Sequence, residues 1–581
     1  MQFKVLTLIL LSVVINHTFV FGKDSFPEVT IEQGVLRGIY EKTYTGRKFA
    51  AFRGIPYAQP PVGKQRFKEP KAPNQWSSVY QATEDGPPCL QYTHFDYTIV
   101  GDEDCLYLNV FTPSVPHGKE KNDLFDVIVY IHGGAFMFGN GVLYGPRILL
   151  DRDVIFITVN YRLGPLGFLS TGDAVIPGNN GLKDQSAALR WIQKNINAFG
   201  GNRDSVTIMG LSAGGASVHY HYMSPLSQGL FKRGISFSGT ALCPWTQMEQ
   251  GKEKAFQIGA NLGCNTQNST LLLSCLRDRP ARKIVSQVKE FLGWLYNPYS
   301  AFGPTVEKGG KTPFLSQDPY EILAIGNFQQ IPWITSVTSE EGLYPGAEMI
   351  TKKYLKELDE KFNEIIPHLL DFNHTIKPEL KQEVCMKIKE YYLKNKDVSQ
   401  NTVQFIQMIG DRLFVSCAEE GAKMQAKKST APVYFYYFNF RSTNKPNLFL
   451  QTDNKDYLGV SHGDDNLYFL SHPHYLNPGS TEQEKEMMQK FLDFITSYAK
   501  TGIPKFKDDF LFPSVKEMLP QLLYVHIKSP SDISQQLTKS LGHSNFWFKL
   551  PLQEKVNTAR LASLDKKKLR NRSETVGHEE L

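Results

Sequence analysis

Gly210-Leu211-Ser212-Ala213-Gly214 is a G-x-S-x-G stretch, and its surroundings weigh more than its letters. Before it runs Asp204-Ser205-Val206-Thr207-Ile208-Met209, a short apolar, β-branched run that reads as a buried strand. After it runs Gly215-Ala216-Ser217-Val218-His219-Tyr220-His221-Tyr222-Met223, small and then bulky, as a helix start packed close to a sheet would be. Strand, tight turn and helix together raise a serine hydroxyl at the edge of a sheet, with a helix N-terminus behind it. Gly210 and Gly214 leave room for strand and helix to approach each other. Five letters also match by chance, so the reading depends on whether a base, an acid and an oxyanion pocket occur in the matching chain order.

The chain has 581 residues, 41% hydrophobic and 21% charged, which is ordinary globular composition with material for a large core. The net charge is +6, and much of the excess sits in one C-terminal run. Nothing suggests a nucleic-acid surface, and past the N-terminus no stretch is apolar enough to span a membrane. Seven cysteines are present. Cys89 with Cys105, and Cys264 with Cys275, are close in sequence. The first pair would close a loop of roughly 15 residues, worth about 3 kcal/mol in the chain-entropy view. Cys243, Cys385 and Cys417 are read as buried, unreactive thiols.

Taken in order, residues 26–56 read as antiparallel strands at one edge of a sheet. Glu103 to Phe111 is a further strand. Asp126 to Ile131 and Val154 to Arg162 are continuous apolar runs, the mark of strands covered on both faces. Asp184 to Asn195 has helical spacing, with Leu189, Trp191 and Ile192 on its apolar side. Gly234–Gly239, Ile331–Val337 and Pro432–Phe438 read as later strands, and Tyr354–Phe362, Glu379–Leu393 and Glu482–Thr501 as helices. Strands alternating with helices imply an α/β fold with a large, mostly parallel central sheet and helices on both faces. No repeat or linker divides residues 23–550, so they read as one domain.

A serine hydroxyl is a poor nucleophile until a base takes its proton and an acid holds that base. In the α/β-hydrolase order, an acid and then a histidine follow the serine, each just after a strand. Thr338-Ser339-Glu340-Glu341-Gly342 supplies a carboxylate at such a place. Of 14 histidines, only His462, in Gly459-Val460-Ser461-His462-Gly463, combines a glycine-bracketed turn with that order. The tetrahedral intermediate needs backbone N–H donors. His132-Gly133-Gly134-Ala135 after a buried strand matches the oxyanion loop of lipases and esterases, and Ala213, next to the serine, is a further donor.

With these motifs the chain resembles the type-B carboxylesterase/cholinesterase family. The matching stretches are Phe52 to Ala58, Glu103 to Asn109, the His132 loop, Asn160-Tyr161-Arg162 with Gly164 and Gly167-Phe168, Asn180 to Gln185, and the Ser212 turn. Within the family it is most similar to insect carboxylesterases. The resemblance implies an α/β-hydrolase fold and hydrolysis of uncharged carboxylic esters through an acyl-enzyme. It implies Ser212 as nucleophile, Glu341, which directly precedes a glycine, as orienting acid, and His462 as general base and acid. The implied oxyanion donors are Gly134, Ala135 and Ala213, and the implied disulfides join Cys89 to Cys105 and Cys264 to Cys275. No metal or organic cofactor is implied. The family loop often ends in a third glycine where this chain has Ala135, whose methyl narrows the space beside the serine. Leu211 stands where juvenile hormone esterases typically carry glutamine and cholinesterases glutamate, which disfavours both narrower assignments.

Residues 1–22 read as a signal peptide, with Lys4, an apolar segment and a small residue at Gly22. The alternative, an N-terminal anchor, is disfavoured because Asn16 and His17 interrupt the segment. Residues 551–581 read as a basic, solvated tail ending His578-Glu579-Glu580-Leu581, similar to the tetrapeptides read by an ER retention receptor. This predicts residence in the ER lumen, with secretion as the alternative. Asn268, Asn373 and Asn571 begin N-x-S/T sequons. Two other classes are weighed: a sequestering protein of the same fold that acylates once and releases slowly, and a non-catalytic adhesion ectodomain, which is disfavoured because it predicts a transmembrane segment after the domain and a lost triad residue, and neither is seen.

Overall fold

A computed structural model describes residues 26–94, 96–116, 124–441, 459–473, 479–506 and 510–552. The signal peptide, the tail from residue 553 with its terminal tetrapeptide, and the sequon at Asn571 lie outside the described residues.

The centre is a sheet of eleven strands among the described residues. In chain order they are β1 (Ile39–Lys42), β2 (Lys48–Pro56), β3 (Tyr107–Thr112), β4 (Phe125–Ile131), β5 (Val154–Val159), β6 (Gly201–Leu211), β7 (Arg233–Phe237), β8 (Trp333–Thr338), β9 (Val433–Phe438), β10 (Leu522–Ser529) and β11 (Asp532–Thr538). Their spatial order is β11-β10-β9-β8-β7-β6-β4-β5-β3-β2-β1. The seven from β10 to β5 run parallel, and antiparallel strands close both edges.

Both faces are covered, and β4 shows why its sequence does not alternate. Val127, Val129 and Ile131 belong to the apolar core on one face, and Ile128 and Tyr130 to the core on the other. A strand with water on neither side gains from an apolar residue at every position, each contributing roughly 1.5–3 kcal/mol of burial. The helix α1 (Asn180–Asn195) bonds through Gln185 to Ser217 of α2 (Ala213–Met223), which starts directly after the serine. Further on, α3 (Thr402–Gly410) and α4 (Ser416–Lys428) are joined by a single π-helical turn, Asp411–Val415, and α5 (Glu482–Thr501) covers the second core.

Several expectations are corrected. Within residues 26–56 only β1 and β2 join the large sheet. Glu28–Ile31 and Gly34–Arg37 pair with each other and with Tyr80–Gln81 in a separate three-stranded sheet. The break falls at Gly38, whose N–H donates to Pro27 O at 2.9 Å and turns the chain. Glu103 to Leu106 is not strand, because the Asp102 side chain accepts the Asp104 N–H at 2.9 Å and Cys105 is tied to Cys89. The helix expected over Tyr354–Phe362 is two, Lys352–Glu360 and Phe362–Leu369.

The cysteine reading is corrected as well. Cys89–Cys105 and Cys264–Cys275 are disulfides, but so is Cys243–Cys417, with an S–S distance of 2.05 Å and 174 residues between its ends. Proximity in sequence cannot reveal such a pair. It forms because α4 packs beside the loop after β7. Cys385 alone is free among the described residues, and burial pushes its thiol up to about 12. Alkylation of the unfolded but unreduced protein is therefore expected to label Cys385 alone in peptide mass spectra. Cys417→Ser should cost about 2–5 kcal/mol, read as a lowered melting temperature.

Candidate active site

Ser212 lies between β6 and α2 with φ 60° and ψ −122°, a conformation costing an L-residue about 1–3 kcal/mol. Packing holds it there. Its N–H donates to Phe237 O on the neighbouring strand at 2.8 Å, and its carbonyl accepts the Ala216 N–H at 2.8 Å. At Gly214 a Cβ would stand 2.0 Å from Ile131 O, so only glycine lets α2 approach β4 this closely.

The end of β4 runs directly into His132-Gly133-Gly134-Ala135-Phe136. Gly134, Ala135 and Phe136 have φ of 104°, 54° and 60° in succession. Carbonyl contacts fix this left-handed run. Gly134 O accepts Met137 N–H at 2.8 Å and Phe138 N–H at 3.0 Å, Ala135 O accepts the Ser300 hydroxyl at 2.6 Å, and Phe136 O accepts Gly164 N–H at 2.8 Å. The N–H groups point elsewhere. Among the described residues, those of Gly134, Ala135 and Ala213 donate no hydrogen bond within the protein. The loop runs beside the serine, since a Cβ on Gly133 would stand 3.1 Å from Ser212 Cβ. His132 itself is turned inward. Its ring stacks on Tyr161 at 4.4 Å, its Nδ1–H donates to Gly133 O, and burial pushes it down to about 4.

His462 and Glu341 meet across 121 residues of sequence: the His462 Nδ1–H donates to Glu341 Oε2 at 2.6 Å, with both side chains buried. The other oxygen, Oε1, accepts the Ser238 hydroxyl at 2.5 Å and the Thr338 N–H at 2.7 Å. Three donors on one buried carboxylate offset its loss of water and keep it oriented. The adjacent Glu340 does a different job, accepting the Val460 N–H at 2.8 Å and so joining the end of β8 to the histidine turn. Asp465, three residues beyond the histidine, is buried against the Tyr436 hydroxyl at 2.6 Å, and burial pushes its carboxyl up to about 6.

Ser212, His462, Gly134 and Ala135 line one cleft. Its walls are mostly apolar: Phe138, Leu143, Tyr144, Trp245, Tyr299, Tyr344, Leu369, Leu413 and Phe414, with Asp371 at one side. The rings of Tyr344, 9° from parallel and 5.6 Å away, and Phe414, 4.4 Å away, enclose the His462 imidazole. Sequence reasoning did not find these wall residues or Ser238. Ser238 was read as part of the strand Gly234–Gly239, and the wall residues come from separate helices and loops with no shared spacing. Asn268 and Asn373, the sequons within the described residues, do not line the cleft. Asn268 is exposed and caps the helix Ser269–Arg277, and Asn373 is partly buried.

Comparison with known proteins decides the family. The carboxylesterase family matches residues 25–547. The chain belongs to this family. It is 43% identical to Venom carboxylesterase-6 of Apis mellifera over 542 residues, 92% of this chain and 96% of that protein. It is 43% identical to Esterase FE4 of Myzus persicae, covering 82% and 85% of the two chains. Among solved structures, the juvenile hormone esterase of Manduca sexta, with OTFP covalently attached, superposes with a TM-score of 0.79 at 29% identity, covering 90% of this chain and 99% of that one. The fold is therefore that of an α/β hydrolase, and the carboxylesterase described here is an ester hydrolase.

Gly134 offers a sharp test of the loop, because a Cβ there would stand 2.0 Å from Phe138 O. Gly134→Ala should displace the loop's N–H groups and lower kcat for a p-nitrophenyl ester by about 10²–10³, with little change in KM and an unchanged circular dichroism spectrum.

Proposed function

We propose that this carboxylesterase hydrolyses uncharged esters through an acyl-enzyme formed on Ser212. In this reading His462 takes the serine proton, passes it to the leaving alcohol, and then activates the water that releases the acid. Glu341 holds the imidazole with its second nitrogen toward the cleft and stabilises the imidazolium that forms. The N–H groups of Gly134, Ala135 and Ala213 receive the developing oxyanion. The observation that carries this reading is the 2.6 Å bond from His462 to the three-donor carboxylate of Glu341, with the histidine in the same cleft as the serine of the strained turn. The apolar walls favour an ester without formal charge, because a charged group would lose its water there with little return. The Ala135 methyl faces the cleft and favours a slender group beside the serine.

A hormone-type ester is the second reading. It is supported by the likeness to the juvenile hormone esterases of Manduca sexta and Tribolium castaneum, the latter 35% identical over 83% of this chain. Leu211 in place of the glutamine typical of that group weighs against it.

We further read the protein as a glycoprotein of the secretory pathway, retained in the ER lumen by a receptor for its last four residues. Three disulfides, the signal-like N-terminus and the exposed Asn268 support this. No helix among the described residues is long and apolar enough to cross a membrane.

Stopped-flow hydrolysis of p-nitrophenyl acetate and butyrate tests the acyl-enzyme. The wild-type protein should give a stoichiometric burst and then sustained turnover. Ser212→Ala and His462→Ala should each lower kcat by about four to six orders of magnitude, and the double variant should lose little more. Additive losses would break the assignment of these residues to one unit. A burst without turnover would favour the sequestering reading.

A further inference from the structure

The π-helical turn Asp411–Val415 faces two ways. Inward, Leu413 and Phe414 form part of the cleft wall. The Phe414 ring lies 4.4 Å from that of His462 and 6.1 Å from that of Trp245, and the Trp245 indole N–H donates to Leu413 O at 2.8 Å. Outward, the Asp411 carboxylate is buried and collects two donors on Oδ2: the Tyr392 hydroxyl at 2.9 Å and the His543 Nδ1–H at 2.7 Å. The Trp547 indole N–H donates in turn to the Tyr392 oxygen at 3.0 Å. These partners come from separate parts of the chain: Tyr392 from the helix Lys381–Leu393, and His543 and Trp547 from the segment after β11. None of the three lines the cleft.

A π turn holds one more residue per turn than the α-helix on either side, so something outside the helix must fix which side chains face inward. Here α3 is set against Leu343 and Ala347, just beyond Glu341. At the other end α4 is tied by the Cys243–Cys417 disulfide. Between those anchors, Asp411 holds the turn from outside, together with Arg412, whose Nε–H donates to Leu370 O at 3.1 Å. A buried carboxylate deprived of a donor must take a proton or turn toward water. Either response shifts the turn that carries Leu413 and Phe414.

We propose that His543 and Tyr392, acting through Asp411, are positioning residues that set the acyl-chain selectivity of the cleft without touching the substrate. The proposal rests on the reading of the cleft as the ester site. It makes the C-terminal segment after β11 a determinant of substrate choice. His543 stands at φ 49°, a left-handed conformation that an L-residue adopts only when its surroundings impose it, as the bond to Asp411 and the ring of Tyr391 at 5.6 Å do here.

The test measures kcat/KM for p-nitrophenyl acetate, butyrate and hexanoate, with the burst titrated in parallel, on the full chain and on His543→Ala, His543→Asn and Tyr392→Phe. Asparagine keeps an N–H donor close to the position of Nδ1. His543→Ala and Tyr392→Phe are expected to change the hexanoate-to-acetate ratio by about fivefold or more with one burst equivalent per chain retained, and His543→Asn to bring it back within about twofold. Tyr392→Phe removes a single oxygen, so the question stays answerable if His543→Ala does not fold. Unchanged ratios in the folded variants, even with a lowered melting temperature, would reduce Asp411 and its partners to structural support and overturn the proposal. Absence of a burst in the wild-type protein would instead remove the ester-site reading on which the proposal rests.

Discussion

The contact on which the centre of the molecule depends is that between Gly214 and the carbonyl of Ile131, where a Cβ would stand 2.0 Å from the oxygen. It presses the first turn of α2 against the last residue of β4. The chain leaves β4 straight into the His132 loop and leaves β6 straight into Ser212. One close approach therefore sets two loops against each other. The serine's unfavourable φ and ψ, and the left-handed run at Gly134, Ala135 and Phe136, are both local strain that the sheet supports. Strain of this kind is affordable because the two apolar cores behind it are large.

Polar groups follow the same economy of position. The Glu341 carboxylate is buried, yet it has a hydroxyl, an amide and an imidazole as donors. With its oxygens fully used it has no reason to seek water, so the imidazole keeps one orientation. The surrounding walls are aromatic and aliphatic, which lowers the local dielectric and strengthens each of these bonds and any made to a developing charge. The neighbouring Glu340, one peptide along, faces the other way and ties two segments together. Adjacent carboxylates in the same strand-end turn thus hold different partners, Glu341 the His462 ring and Glu340 the Val460 N–H, because successive residues leaving a strand point to opposite sides.

The far wall is built differently. Much of it comes from a long insertion after β8, whose helices pack on one another, with α4 lying against β8 and β9. Wall residues there are held by Asp411 from outside the cleft and by the Trp245 indole, itself part of the wall. The serine side is rigid because it is part of the sheet. The opposite side adds the outer bonds of Asp411 to its packing on the sheet.

Much of this was legible in the residues. Continuous apolar runs at Asp126–Ile131 and Val154–Val159 identify strands buried on both faces, since solvent on either side would have imposed alternation. The G-x-S-x-G stretch gave the turn at Ser212 because only small neighbours permit it. Glu341 was read from its place after a strand and before a glycine, as the resemblance implies, and His462 from its glycine-bracketed turn and chain order. Motifs of this kind are local, and local backbone demands leave marks in local sequence. What tertiary structure alone decided is non-local. Ser238 reaches Glu341 across 103 residues, Cys243 finds Cys417 across 174, and the cleft walls gather Tyr144, Trp245, Tyr344 and Phe414 from four separate segments. Nothing in the spacing of such residues encodes their meeting, because their distances are set by how whole helices pack, and any apolar or polar residue of suitable size looks the same in sequence whether it faces a core, a partner or a substrate.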